Sequence, residues 1–417
     1  MTIGRKIQFD MHKTHMFAII LLFASATFPM LALSDRSLDG SLAEPSQIPV
    51  FLAVFILMIV NIVFHRMTFR SIRSTSRPLV WVYCVAILIV IASFVLGQLI
   101  SIVYAILFVF LTFNFSIIWQ YSEKRRRKIF RWLSMVCLGT GLFAIALYGM
   151  PVDRYVGGIH PNFYGALVLC AGMFAALGFR RLAGPIMVIC FVLASLVSSR
   201  YAMVALIIFG VIYIFRAAKV SFWLKYFGSI AGVILAVLLV RSDALVALLE
   251  LNTRNRGIGS GFTGRSERWS HFWPQFYDAP ILGVGFRNRD AYYGAHNGYL
   301  NVIMENGLII GMIIIGYILY RVTIGMVTAS NKEDVCASAG ILAIALGSFF
   351  QPQLINFGDA MGLSLLLFLM HPNPQPQTRR RDRHRQSEMA KHVELSSAVS
   401  VSPVAQIGSV PRPSARH

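Results

Sequence analysis

Residues 264–311 read GRSERWSHFWPQFYDAPILGVGFRNRDAYYGAHNGYLNVIMENGLIIG. Here a long polar segment rich in arginine and aromatic residues runs straight into an apolar stretch of membrane length. His296 and Asn297 stand at the junction. Nearly everything else in the chain is apolar, so chemistry has few other places to sit.

The chain has 417 residues, 56% hydrophobic and 13% charged, against about 25% charge in an ordinary soluble domain. The apolar residues gather in blocks, most of roughly 16 to 23 residues and so long enough to cross about 30 Å of hydrocarbon as a helix. The expected fold is an all-α polytopic membrane protein with about twelve spans: 16–33, 48–64, 79–97, 99–119, 132–150, 161–179, 185–199, 201–215, 226–240, 298–320, 335–350 and 360–370. The first block follows a basic start (Arg5, Lys6, His12, Lys13). Its apolar core is longer than that of a signal peptide, so it reads as a retained span.

The net charge of +20 is not read as a nucleic-acid signature, because the basic residues lie mostly in short loops between apolar blocks. Loops such as HRMTFRSIRSTSR and SEKRRRKIFR set orientation by their positive charge. With the amino terminus inside, both termini are cytoplasmic, and the loop 241–296 faces outward. All eight lysines then fall inside, and every outer positive charge is an arginine, whose planar fork suits phosphate. One long helix over 185–215 would reverse this arrangement and bury Arg200 mid-bilayer, at about 2.5–3.5 kcal/mol. A helical hairpin turning at Ser199-Arg200-Tyr201 is expected instead.

Two domains follow: a transmembrane body, 1–371, and a tail, 372–417. The tail has no Phe, Trp or Tyr and reads as disordered, with RRRDRHR just past the last span placed to meet anionic lipid headgroups. Cys84, Cys137, Cys170, Cys190 and Cys336 all fall in apolar blocks without CxxC spacing. They read as buried small hydrophobes, with no disulfide and no metal site.

Within the outer loop, residues 242–251 have helical spacing. Residues 259–264 match GxGxxG, but no strand precedes them, so they read as a flexible hinge and not as a nucleotide site. Trp269, Phe272, Trp273 and Phe276 recur at helical spacing, with Arg265 and Arg268 elsewhere on the turn. That pattern suits an interfacial helix with its rings at headgroup depth, and plain membrane anchoring would explain it too.

Asn297, Asn301 and Glu305, at i, i+4 and i+8, share one helix face with His296 above them. A polar stripe in a membrane helix turns to the bundle interior or a water-filled cavity; helix–helix hydrogen bonding with Asn297 as N-cap would account for it as well. Gly307 and Gly311, in GxxxG spacing, are expected to let helices pack closely. His160 and Asn162 flank Pro161 at a helix start. The outer side therefore collects His160, Arg200, Arg265, Arg268, Arg287, Arg289 and His296, a set able to hold a pyrophosphate and supply a base. No Asp-x-Asp pair, HExxH, P-loop or nucleophile elbow occurs, so the expected chemistry needs no metal and no cofactor.

In order along the chain, GGIHPNFYG, SSRYAMVAL, GRSERW, PILGVGF and HNGYLNVIMENGLIIG resemble the bacterial O-antigen ligase and polysaccharide polymerase superfamily. The similarity covers roughly residues 130–320, and the HN and Gly-Arg-x-x-x-Trp pieces are its specific parts. The resemblance implies a metal-independent, inverting, periplasm-facing membrane glycosyltransferase with an undecaprenyl-pyrophosphate-linked oligosaccharide donor. By position, His296 matches the essential histidine, as base or acceptor-positioning group. Arg265 and Arg200 match arginines that hold the pyrophosphate, and Arg268 lies beside them. His160 and Asn162 match a motif able to contact donor or acceptor, and Asn297, Asn301, Glu305 and Arg287 are further substrate-binding candidates.

The acceptor is a growing glycan, if the chain polymerises exopolysaccharide or O-antigen repeat units, or lipid A-core, if it is a ligase. Membrane lipids and other polysaccharide export components are the remaining expected partners. A lipid-linked oligosaccharide flippase is the alternative of another class. The chain has no half-to-half repeat, and its aromatics and arginines concentrate on one side, which favours the transferase.

Overall fold

The computed structural model describes residues 2–27, 77–152, 154–157, 159–217, 261–288, 291, 294–352 and 354–372, with positions 55 and 59. The expected spans 48–64 and 226–240, the helix at 242–251 and the tail beyond 372 lie outside the described residues.

The described residues form eleven α-helices: α1 (Thr2–Thr27), α2 (Arg77–Val95), α3 (Leu99–Gln120), α4 (Glu123–Tyr148), α5 (Pro161–Gly178), α6 (Ala183–Leu196), α7 (Arg200–Ile212), α8 (Gly261–Asp278), α9 (Gly298–Thr328), α10 (Lys332–Ser348) and α11 (Ala360–Leu369). A π-helical turn, Tyr213–Ala217, extends α7. Six helical stretches are long and apolar enough to cross a membrane: Pro78–Val95, Leu99–Gln120, Glu123–Tyr148, Pro161–Gly178, Arg200–Ala217 and Gly298–Thr328. The fold is all-helical, as expected, with six candidate spans among the described residues.

α5 is the hub, packing against α4, α6, α7, α10 and α11. Its sequence, PNFYGALVLCAGMFAALG, explains why. Small residues let neighbouring backbones come close, and a Cβ on Gly165 would overlap the Ser199 side chain. Tyr164 donates to the Gly141 carbonyl of α4 (2.9 Å) and Ser134 of α4 donates to Ala171 (2.9 Å), so the few polar groups at this seam are paired.

Several boundaries differ from the sequence expectation for a common reason: helices continue beyond the apolar block. α1 begins at Thr2 and α4 at Glu123, taking in basic residues that are good helix formers. In α4 an ion pair between Arg127 and Glu123, one turn apart, supports the extension. The hairpin at Arg200 is present: α6 ends at Leu196, Ser198 takes φ 47°, and α7 begins at Arg200. Four of the six residues of the expected hinge at 259–264 are helix, because α8 begins at Gly261. Four of the five cysteines are buried, but Cys84 is exposed on α2, on a flank whose apolar residues Val80, Ile87 and Ile91 also face outward.

The largest departure is in α9. At Gly307 the backbone leaves helical geometry (φ 72°, ψ 173°). The segment after α8 fills the break: Val284 and Gly285 donate to the Met304 and Glu305 carbonyls (2.9 and 3.1 Å), and Leu308 donates to the Pro280 carbonyl (2.8 Å). A Cβ on Gly307 would overlap the Ile281 carbonyl oxygen. Gly307 therefore serves a helix break and not helix–helix packing. Gly311 belongs to the same corner, where an added Cβ would meet the Ile303 backbone at 2.9 Å. Broken helices persist in membranes where other groups satisfy the freed backbone, as residues 280–285 do here.

Candidate functional site

The first part of α9, from Gly298 to the break, is a short helix carrying the polar stripe. Asn297 caps it, its Oδ1 accepting from the Tyr299 and Leu300 amides (2.9 and 3.2 Å). Asn301 Oδ1 accepts from the Ala295 amide (3.2 Å), and Glu305 Oε2 accepts from the Arg287 amide (3.1 Å). All three stripe residues are buried. The stripe thus faces inward and holds the loop between α8 and α9, the loop that carries Arg287 and His296.

Both of those residues sit in the left-handed region, Arg287 at φ 63° and His296 at φ 49°. Non-glycine residues persist there only where their surroundings over-determine them, and such strain clusters at functional sites. Arg287 places its guanidinium 5.7 Å from the ring centres of Tyr104 and Phe357. His296 is half-buried at the head of α9.

α8 closes this loop from the other side. Trp269 Nε1 donates to the Ala295 carbonyl (3.0 Å), and Phe272 and Phe276 pack on Ala295 and Met304. Of the four rings expected at headgroup depth, Phe272 and Phe276 instead bury against the protein, because the loop offers them an apolar seat. Trp273 and Tyr277 remain exposed. Arg268 is half-buried on the same helix; Arg265 belongs to α8, with its side chain outside those described, and Arg289 lies outside the described residues.

A second group forms where α5 and α7 begin. His160 caps α5, its Nδ1 accepting from the Asn162 amide (3.1 Å), with the rings of Tyr155 and Phe163 edge-on to it. Tyr201 donates to the Asn162 carbonyl. Arg154, itself at φ 80°, donates to the Ser198 carbonyl (3.1 Å), immediately before Arg200 at the start of α7. Burial, and then the Arg154 charge, push the His160 imidazole down to about 4; it is a neutral acceptor at ordinary pH.

The end of α10 lies between the two groups. Tyr299 donates to the Ala345 carbonyl (2.8 Å), Tyr201 packs beside Gly347, and Gly298 lies against Gln351 and Leu354. The structure therefore brings His160, Asn162 and Arg200 to the same end of the helices as Arg268, Arg287 and His296.

Three participants escaped the sequence reading. Arg154 had no helical context to mark it. The Trp269 ring was noted but not its N–H. Asp359, buried, caps α11 by accepting from the Gly362 amide (2.8 Å); the legible signal was an aspartate directly before an apolar block. Among the described residues no group of three or more His, Cys, Asp or Glu side chains is placed to hold a metal ion.

With this geometry in hand, comparison with known proteins adds one match. No curated protein matches the chain. Residues 185–316 match the family model described as O-Antigen ligase, a segment running from α6 through the broken part of α9 and containing Arg200, Arg265, Trp269, Arg287 and His296. Over that segment the chain is similar to the O-antigen ligase family, in line with the resemblance its motifs carry.

Proposed function

We propose that the chain is a membrane glycosyltransferase of the O-antigen ligase type, inverting, metal-independent and facing the periplasm. Its donor is a glycan on undecaprenyl pyrophosphate. The observation that carries this reading is the seating of His296. It lies inside the family-matched segment, in a strained backbone conformation, on a loop fastened by two helices, at the arginine-bearing end of the molecule. A group held so tightly while half-exposed suits proton transfer, which needs a positioned side chain.

In this mechanism the donor enters from the outer leaflet. Arg200, Arg265 and Arg268 bind its pyrophosphate, each charged hydrogen bond contributing about 1.5–3 kcal/mol. An acceptor hydroxyl loses its proton to His296 as its oxygen bonds to the anomeric carbon from the face opposite the leaving group. The bond from that carbon to the pyrophosphate oxygen breaks, its electron pair leaves with undecaprenyl pyrophosphate, and the anomeric configuration inverts. His160, Asn162, Arg287, Asn297 and Glu305 bind or frame the two glycans.

We take the acceptor to be the next lipid-linked repeat unit, so that the chain polymerises exopolysaccharide or O-antigen. Ligation of finished O-antigen to lipid A-core is the second reading, favoured by the description of the matched family. The test is the length of glycan on the lipid carrier in cells carrying His296→Ala. Single repeat units stalled on the carrier support polymerisation, and long polymer beside bare lipid A-core supports ligation. Normal surface glycan removes the transferase reading and reopens the flippase.

A further inference from the structure

Side chains from two helices converge on one residue, Ala295. Ala295 is fully buried among Phe272, Phe276 and Met304. Its carbonyl accepts from Trp269 Nε1 on α8 (3.0 Å), and its amide donates to Asn301 Oδ1 on α9 (3.2 Å). Both backbone polar groups of a single residue are thus taken by side chains from the two flanking helices. The next residue is His296, at φ 49°. The residue after it, Asn297, is tied to the start of α9 through its own side chain.

This arrangement exceeds what packing requires. Two aliphatic side chains would bury Ala295 as well, leaving its amide and carbonyl to the loop. Instead an indole, which is a donor only, meets the carbonyl, and a carboxamide oxygen meets the amide. The carbonyl bond fixes the peptide plane that leads into the His296 Cα, and the amide bond fixes the plane before it, so the two together hold Ala295 and the direction of the His296 Cα–Cβ bond. The left-handed backbone at His296 costs free energy on its own and needs such a constraint to persist.

We propose that Trp269 and Asn301 are positioning residues for His296, acting through the two peptide groups that flank Ala295 to hold the imidazole at the angle the transfer step uses. This rests on the role given to His296 above. Neither side chain needs to touch substrate. The tie also gives a physical reason for two of the specific sequence pieces: the tryptophan that closes GRSERW and the second asparagine of HNGYLN bond to the same residue.

The test uses full-length protein in lipid nanodiscs, with a lipid-linked donor and its acceptor, and rates counted per folded molecule. Trp269→Phe keeps an aromatic ring and deletes the N–H. Asn301→Leu deletes the acceptor, and Asn301→Asp retains one at the same place. Because a displacement near 1 Å can cost about a hundredfold in rate, Trp269→Phe and Asn301→Leu are expected to lower kcat by roughly tenfold or more. KM for the donor should stay unchanged and Asn301→Asp should stay near wild type. The double variant should lose less than the product of the two singles, since both act on one residue.

If both single variants keep kcat per folded molecule while His296→Ala is inactive, the positioning role is overturned and the reading of His296 stands. Lower melting temperatures with unchanged kcat overturn it equally, leaving Trp269 and Asn301 as packing alone. A fully active His296→Ala overturns both together. Should Trp269→Phe not accumulate, the contrast between Asn301→Leu and Asn301→Asp decides.

Discussion

The two ends of the helical unit use their cations differently. At one end Arg131 donates to the Gly178 carbonyl (2.8 Å), Arg321 to Leu369 and His371 (2.7 and 2.6 Å), Arg126 to Trp119 (3.2 Å) and Tyr121, Arg216 to Met326 and Ala329, and Lys332 to Phe179 (3.4 Å). Each of these carbonyls belongs to the last turn of a helix or lies just beyond it, where orphan acceptors need donors and the dipole favours positive charge. At the other end Arg200 opens α7, where the helix dipole is positive and a cation gains nothing from it. Arg287 lies over two rings, and both it and His296 take strained backbone. Architecture accounts for the cations of the first end. At the second end Arg154 meets the Ser198 carbonyl in the same way, while the phosphate-binding role proposed above falls to Arg200, Arg265 and Arg268.

This contrast can be broken by substitution. The largest loss is expected from Gly307→Ala, which forces a side chain onto the Ile281 carbonyl at a left-handed position. Strain of that kind costs about 1–3 kcal/mol before the overlap is counted, so most folded protein should be lost, as measured by the monodisperse fraction in detergent. Arg200→Ala should lower transfer per folded molecule roughly tenfold to a hundredfold, the equivalent of one charged hydrogen bond. Arg321→Ala should show the opposite signature. It leaves two buried carbonyls without their donor, which costs about 1–3 kcal/mol, so the melting temperature falls while the rate per folded molecule holds.

The smallest effect is acid sensitivity. His160 is held down to about 4, below its ordinary 6.5, by burial and then Arg154. The folded state therefore binds fewer protons than the unfolded one between these values, and stability rises with pH across that window and is lost as pH falls through it. His371, buried beside Arg321, is held down to about 3 and adds to the same trend. Melting temperature should decline as pH drops from about 6.5 toward 4, and His160→Asn, which keeps a cap acceptor that does not titrate, should flatten the decline.

What the sequence made legible was whatever depends on local pattern. The spans at 79–97 and 99–119 fall within two residues of α2 and α3, the Arg200 hairpin is where charge required it, and Asn297 caps α9. What stayed hidden depends on distant partners. Gly307 and Gly311 have the spacing of a packing motif, and only residues 280–285 turn it into a break. The rings of α8 have amphipathic spacing whichever surface receives them, so the burial of Phe272 and Phe276 against the His296 loop could not be read. Asn301 looked like a substrate ligand because a polar stripe does not say which backbone group it meets.

The most direct measurement is release of undecaprenyl pyrophosphate by purified protein given a lipid-linked glycan and its acceptor. We expect acceptor-dependent release from wild type and Arg321→Ala, scaled to folded protein, and none from His296→Ala at an unchanged melting temperature. Equal release from His296→Ala and wild type would contradict the account, since the arginine-bearing end would then hold substrate without performing the transfer that His296 is placed to assist.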